Sequence, residues 1–136
     1  MPRREALLAG PWRVLLIDSI TQLEPSDRGT VVVTGSHGGT SAATFALAVP
    51  VALVVFNDAG VGKDAAGIAG LAILEAHGRA AATVSHLSAR IGDARDAWKE
   101  GVFSHANRQA LALGVCTGAR VRCWAVAISV NQNSKL

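Results

Sequence analysis

The chain has no tyrosine, only three phenylalanines and three tryptophans among its 136 residues, one methionine and two cysteines. So few aromatics leave no stacking platform for nucleic-acid bases. Arg3–Arg4 is its only adjacent basic pair, so the net charge of +3 is spread along the chain instead of forming a phosphate-binding patch. Cys116 and Cys123 are too few for a disulfide framework and are not spaced as a metal knuckle. In so apolar a chain they read as buried thiols. Long hydrophobic runs are missing too: the first one, within "GPWRVLLIDSI", is broken by Pro11 and Arg13 and stops at Asp18. That excludes a membrane span and makes a poor signal peptide, so a cytoplasmic setting is expected.

What is abundant is small and apolar. Half of the residues are hydrophobic and only 17% are charged, which excludes disorder and points to one domain over residues 1–136 with a buried surplus suited to a homo-oligomer. Residues 1–11 and 131–136 are expected to be peripheral. The continuous apolar runs 12–18, 30–35, 50–57 and 80–86 read as buried strands, with 119–130 as a fifth strand at an edge or interface. Helices are expected over 40–49, 61–78 and 93–114, the last with Asp93 as its cap and Gly114 as its stop. Strand and helix alternate from residue 30 to 114. This is the pattern of a three-layer α/β/α domain with a mostly parallel sheet of four to five strands, Rossmann-like or flavodoxin-like. Residues 19–29 are barely long enough for a parallel crossover.

Ligands of open α/β sheets bind beyond the carboxyl ends of the strands. Those ends carry "DSIT", "GSHGGTS", "NDAGVGKDAAG" and "SHLSARIGD", whereas the opposite turns carry little chemistry. The first turn contributes Asp18. The second offers Ser36, His37, Gly38 and Gly39, the third Asn57, Asp58 and Lys63, and the fourth Ser85, His86, Ser88, Arg90 and Asp93. Gly35, Gly38 and Gly39 let backbone amides turn inward toward an anion. "GSHGG" has no Walker ending, and "GVGK" lacks the hydroxyl that would hold magnesium, so a small phosphate or carboxylate is expected in place of a nucleoside triphosphate. The bland alternatives are an Asx-turn at Asp58, a helix cap at Asp93, and surface positions for His77 and for His105 in mid-helix.

"VVVTGSHGG" followed by "VALVVFNDAG" resembles the caspase-like cysteine peptidases over about a fifth of the chain. In those enzymes a strand-end His-Gly carries the catalytic histidine and the next strand leads to the nucleophilic cysteine. Here His37 matches the histidine element, but Asn57 and Asp58 stand where the cysteine would be. The resemblance therefore implies no peptidase activity.

These observations predict a hydrolase- or lyase-like enzyme acting on a small anionic metabolite. His37, Asp58 and His86 are the acid–base residues. Ser36, Gly38, Gly39, Asn57, Lys63, Ser88 and Arg90 hold the substrate. No cofactor is required, although His37, His86 and the aspartates are alternative ligands for a divalent metal. No nucleic-acid or membrane partner is expected. The competing reading is a non-catalytic ligand-binding or oligomerising α/β module, with 119–130 as its assembly surface.

Overall fold

The most continuous apolar stretches become the centre of a sheet. In a computed structural model, which describes residues 3–134 and only the backbone beyond residue 127, six strands lie in sequential order. They are β1 (Arg4–Ala9), β2 (Trp12–Ile17), β3 (Val31–His37), β4 (Leu53–Asn57), β5 (Ala81–Val84) and β6 (Phe103–Ala106). β2 to β5 are parallel, with Val31 registered between Val14 and Leu53 and Val33 between Leu16 and Val55. The helices are α1 (Thr40–Leu47), α2 (Ala69–Ala76), α3 (Ala94–Glu100), α4 (Arg108–Ala112) and α5 (Val121–Ser134). The fold is α/β with a mixed sheet.

It is not the parallel arrangement expected of a Rossmann-like or flavodoxin-like domain. Both edge pairings, β1–β2 and β5–β6, are antiparallel. The strand order never reverses, so there is no switch point. Right-handed crossovers in a sheet that grows in one direction all fall on one face. Accordingly Leu15, Ile17, Val32, Val54 and Phe56 pack against Ile20, α1 and α2. The opposite face, with Val14, Leu16, Val31, Val33, Leu53 and Val55, is covered by α3, α4 and α5. The short connection after β2 manages its crossover with two 3-10 turns, Ile20–Gln22 and Pro25–Asp27.

Three expected elements are corrected. The helix expected over 61–78 spans only Ala69–Ala76, because Val61, Asp64 and Ala65 take positive φ before it. Residues 93–114 are not one helix: Asp93 does cap α3, accepting from the Asp96 amide at 3.0 Å. The helix then stops at Gly101, where a Cβ would collide with the Ala97 carbonyl. Val102 and Phe103 resume extended backbone, and Asn107 caps α4 by accepting from the Ala110 amide at 3.0 Å. Residues 119–130 are not a strand. Val121, Trp124 and Ala125 fall at helical spacing on the buried side of α5, and Trp124 stacks on Trp12 with ring centroids 5.7 Å apart. Trp124 is therefore core and not an assembly surface. Both cysteines are exposed. Of the segment 131–136 expected to be peripheral, residues 131–134 continue α5 and 135–136 lie outside the described residues.

The amino-terminal segment supplies the edge strand β1, held by a six-residue antiparallel ladder to β2 and by ion pairs. Arg3 pairs with Asp18 at 3.4 Å and with Asp93 at 3.3 Å. Arg4 reaches both oxygens of the buried Asp27, and Arg95 pairs with Glu5. At the other side of the sheet centre, the loop after β5 crosses the end of β3 and closes on it, Gly92 donating to the Gly35 carbonyl at 2.7 Å.

That crossing predicts a contrast between two glycines. A Cβ at Gly35 would fall 2.5 Å from the Asp93 nitrogen, whereas one at Gly29, with φ of 76°, meets nothing within 4 Å. Gly35→Ala is expected to lose about 3 kcal/mol of stability through overpacking and Gly29→Ala about 1 kcal/mol through backbone strain alone. Urea denaturation of the two variants checks the order.

Candidate functional site

The buried ends of β4 and β5 hold the polar centre of the molecule. Asn57, at the end of β4, donates from Nδ2 to the Ala89 carbonyl at 3.0 Å and accepts from the Ala59 amide at 2.8 Å. It pins the loop after β5 and turns the chain after β4. Asp58 follows, 5% exposed. Its Oδ1 accepts from the Gly60 amide at 2.9 Å and the His86 amide at 3.0 Å. The His86 Nδ1 lies 3.4 Å from the same oxygen. Burial opposes the charge on Asp58. The Gly60 amide, the Ser104 hydroxyl, the His86 amide and the His86 ring more than offset that cost, and its carboxyl lies below the ordinary value.

The chain after Asp58 is held in an unfavourable shape. Ala59, Val61, Asp64 and Ala65 all have φ between 52° and 68°, a region costly for residues with a Cβ and most of all for β-branched Val61. Each such residue costs on the order of 1–3 kcal/mol, and strain of this kind concentrates at functional sites. Asp58 helps to hold it: its carbonyl accepts from Val61 at 2.7 Å, and Val61 in turn accepts from Gly67 at 2.8 Å. Gly67 packs so closely on the Asp58 carbonyl that no Cβ would fit, and a Cβ on Gly38 would lie 2.8 Å from the Gly67 carbonyl. The turns after β3 and β4 are thus interlocked through glycines.

The expected site residues divide. Asp58 and His86 come together as a pair, with the His86 side chain 43% exposed and Asp58 beneath it. His37 is exposed at the end of β3, and its ring covers Gly39, where a Cβ would sit 2.8 Å from Cε1. It lines a separate groove of about 300 Å³ with Ser36, Ser41, Phe45 and Ile91, and it has no hydrogen bond or ion pair among the described residues. Lys63 and Arg90 are exposed, and their side chains likewise make no ion pair or hydrogen bond among the described residues.

Other expected ligand groups are already engaged within the protein. The Gly38 amide donates to the Asn57 carbonyl at 3.1 Å. Ser36 accepts from the Ile20 amide at 2.9 Å. Ser88 donates to the Ser85 carbonyl at 2.7 Å and accepts from Val102 at 2.9 Å. Asp18 accepts from the amides of Arg3 at 2.9 Å and Ala94 at 3.0 Å. Its burial is likewise outweighed by these amides and the Arg3 guanidinium, and its carboxyl lies below the ordinary range. Among the described residues no three His, Cys, Asp or Glu side chains are grouped to hold a metal ion.

Thr83, Ser104 and His105 were not anticipated. His105 belongs to β6, not to a helix, and joins Thr83 and Ser104 beside Asp58. Their signal was "GVF": a helix stop followed by a β-branched and an aromatic residue.

An ionised Asp58 can only accept, and the half-exposed His86 ring stands over it with Nδ1 at ion-pair distance, 3.4 Å from Oδ1. No family model, curated protein or solved structure matches this chain.

The depressed carboxyls set a pH dependence. Asp18 and Asp58 titrate below the ordinary 3.8 in the folded protein, so each contributes stability that is complete above that value and is lost as pH falls through the lowered one. Wild-type protein should lose stability below about pH 4. Asp58→Asn, less stable at pH 7, should lose less over the same interval, as urea midpoints between pH 7 and 2 will show.

Proposed function

We propose that the protein is a small-molecule enzyme that carries out acid–base chemistry, hydrolytic or eliminating, on a compact anionic metabolite. The Asp58–His86 pair carries this reading: a buried, ionised carboxylate lies 3.4 Å from the Nδ1 of an imidazole whose other edge is open. A base oriented in this way takes a proton from substrate at Nε2 and returns it to a leaving group. Lys63 and Arg90, cations without partners among the described residues, supply the attraction for a phosphate or carboxylate. The strained loop between Asp58 and Lys63 supports the same location. His37, beside its own groove, is the group best placed to meet a substrate that extends there. A cytoplasmic homo-oligomer remains part of the proposal.

A self-associating, non-catalytic module is the second reading, favoured by Leu8 and Leu87, which are 79% and 86% exposed.

Thermal-shift binding of small phosphate and carboxylate compounds, followed by turnover of those that bind, tests the first reading. His86→Asn is expected to lower kcat about 10²- to 10⁴-fold without unfolding the protein, and the Lys63→Ala, Arg90→Ala double variant to raise KM. Turnover unchanged by His86→Asn overturns the assignment, while binding without any turnover favours the module.

A further inference from the structure

Among the described residues the sheet is closed at one edge and open at the other. Beyond β6 the chain returns on itself: Phe103 donates to the Ala119 carbonyl at 2.9 Å, Gly118 donates to the Phe103 carbonyl at 2.8 Å, and Val102 bridges Arg120. Beyond β1 no strand follows. Ala9 and Trp12 close the two-residue turn at Gly10 and Pro11 as a hydrogen-bonded pair, and such pairs alternate along an antiparallel ladder. The Asp18 amide, donating to the Arg3 carbonyl at 3.2 Å, keeps the same phase at the far end. Glu5, Leu7 and Ala9 therefore bond to β2, while Arg4, Ala6 and Leu8 aim their amides and carbonyls at the open edge.

Exposed edges normally carry a device against pairing, such as a lysine, a proline or a bulge. β1 has no lysine and no proline, and its register with β2 is unbroken. Its two charged side chains are paired within the chain, Arg4 with Asp27 and Glu5 with Arg95. Leu8 is 79% exposed. On the same face of the sheet, Ala6, Leu8, Leu15 and Thr30 line an open recess of about 200 Å³.

We propose that the edge of β1 is the docking surface for a second copy of this chain, paired antiparallel about a two-fold axis normal to the sheet. Such an axis keeps each face of the sheet on its own side, so even-numbered residues meet even and odd meet odd. With Leu7 on the axis, Leu8 of each copy stands opposite Ala6 of the other and exchanges both main-chain bonds with it. The small Ala6 leaves the recess open to that leucine, so knob and hollow are self-complementary. No like charges oppose each other in this register: Arg4 faces Gly10 and Glu5 faces Ala9. One open edge per chain closes the assembly at two copies and joins two six-stranded sheets into one. The pairing rests on the homo-oligomeric part of the proposed function and is independent of the acid–base chemistry.

Sedimentation velocity of the full chain is expected to give twice the chain mass, and Leu8→Lys and Ala6→Pro are each expected to halve it. The amide that proline removes at residue 6 faces the open edge, so the β1–β2 ladder loses no bond. Amide exchange read residue by residue locates the contact. Ala6 and Leu8 should be protected in the dimer and exchange freely on dilution, and Ala6 should also do so in Leu8→Lys. Leu7, bonded to β2, should stay protected throughout. If Ala6→Pro exposes Leu7, β1 has come away and Leu8→Lys alone decides. A monomeric wild type, whether its edge is free or covered by its own chain, overturns both the pairing and the homo-oligomer. A dimer in which Ala6 and Leu8 exchange freely, or one that Leu8→Lys leaves at full mass, overturns the pairing alone. Turnover that depends on His86 in a monomer leaves the acid–base reading standing without it.

Discussion

The carboxylate of Asp58 is the group on which the carboxyl edge of the sheet depends. It ties the loop after β4 to the start of the loop after β5 through two backbone amides. Each of these bonds is ordinary by itself. Together they hold a run of left-handed residues that no local preference would select. A buried charge survives only when its acceptors are filled, and here the groups that fill them are the groups that need positioning. Stability and site geometry are therefore the same set of hydrogen bonds.

The strands at the centre of the sheet and the loops at its carboxyl edge were legible in the sequence because strands buried on both faces are continuous apolar runs. "VALVVFN" could hardly be anything else. The later part of the chain was harder because its periodicities are ambiguous. In "ARVRCWAVAISV" alternate residues suit a strand, while Val121, Trp124 and Ala125 suit a helix equally well. Packing of Trp124 against Trp12 and Phe103 decides for the helix. β1 was missed because an edge strand with one exposed face has only a short, mixed pattern, and much of its fastening comes from arginines whose partners are distant in sequence.

The site was legible in part for a similar reason. Asp58 and His86 were visible because both lie within two residues of a strand end. What sequence could not separate was a polar side chain awaiting a ligand from one already serving the fold. Ser36, Ser88 and the Gly38 amide all belong to the second kind. The turn residues satisfy one another's backbone groups, as buried loops must, and among the side chains expected at the site His37, Lys63 and Arg90 have no hydrogen bond or ion pair to the described residues.

The sequential winding of the sheet has a consequence for how the protein is made. One face of β2, β3 and β4 is covered as the chain emerges, by α1 and α2, the α-helices that come next in the chain after β3 and β4. The other face waits for residues 94–125, so Val14, Leu16, Val31 and Val33 stay uncovered while most of the chain is still being synthesised. Contacts between β2 and α5 span more than a hundred residues, and such long-range closure is slow. During that interval the nascent chain presents a broad apolar sheet surface, the condition under which partly folded chains associate wrongly.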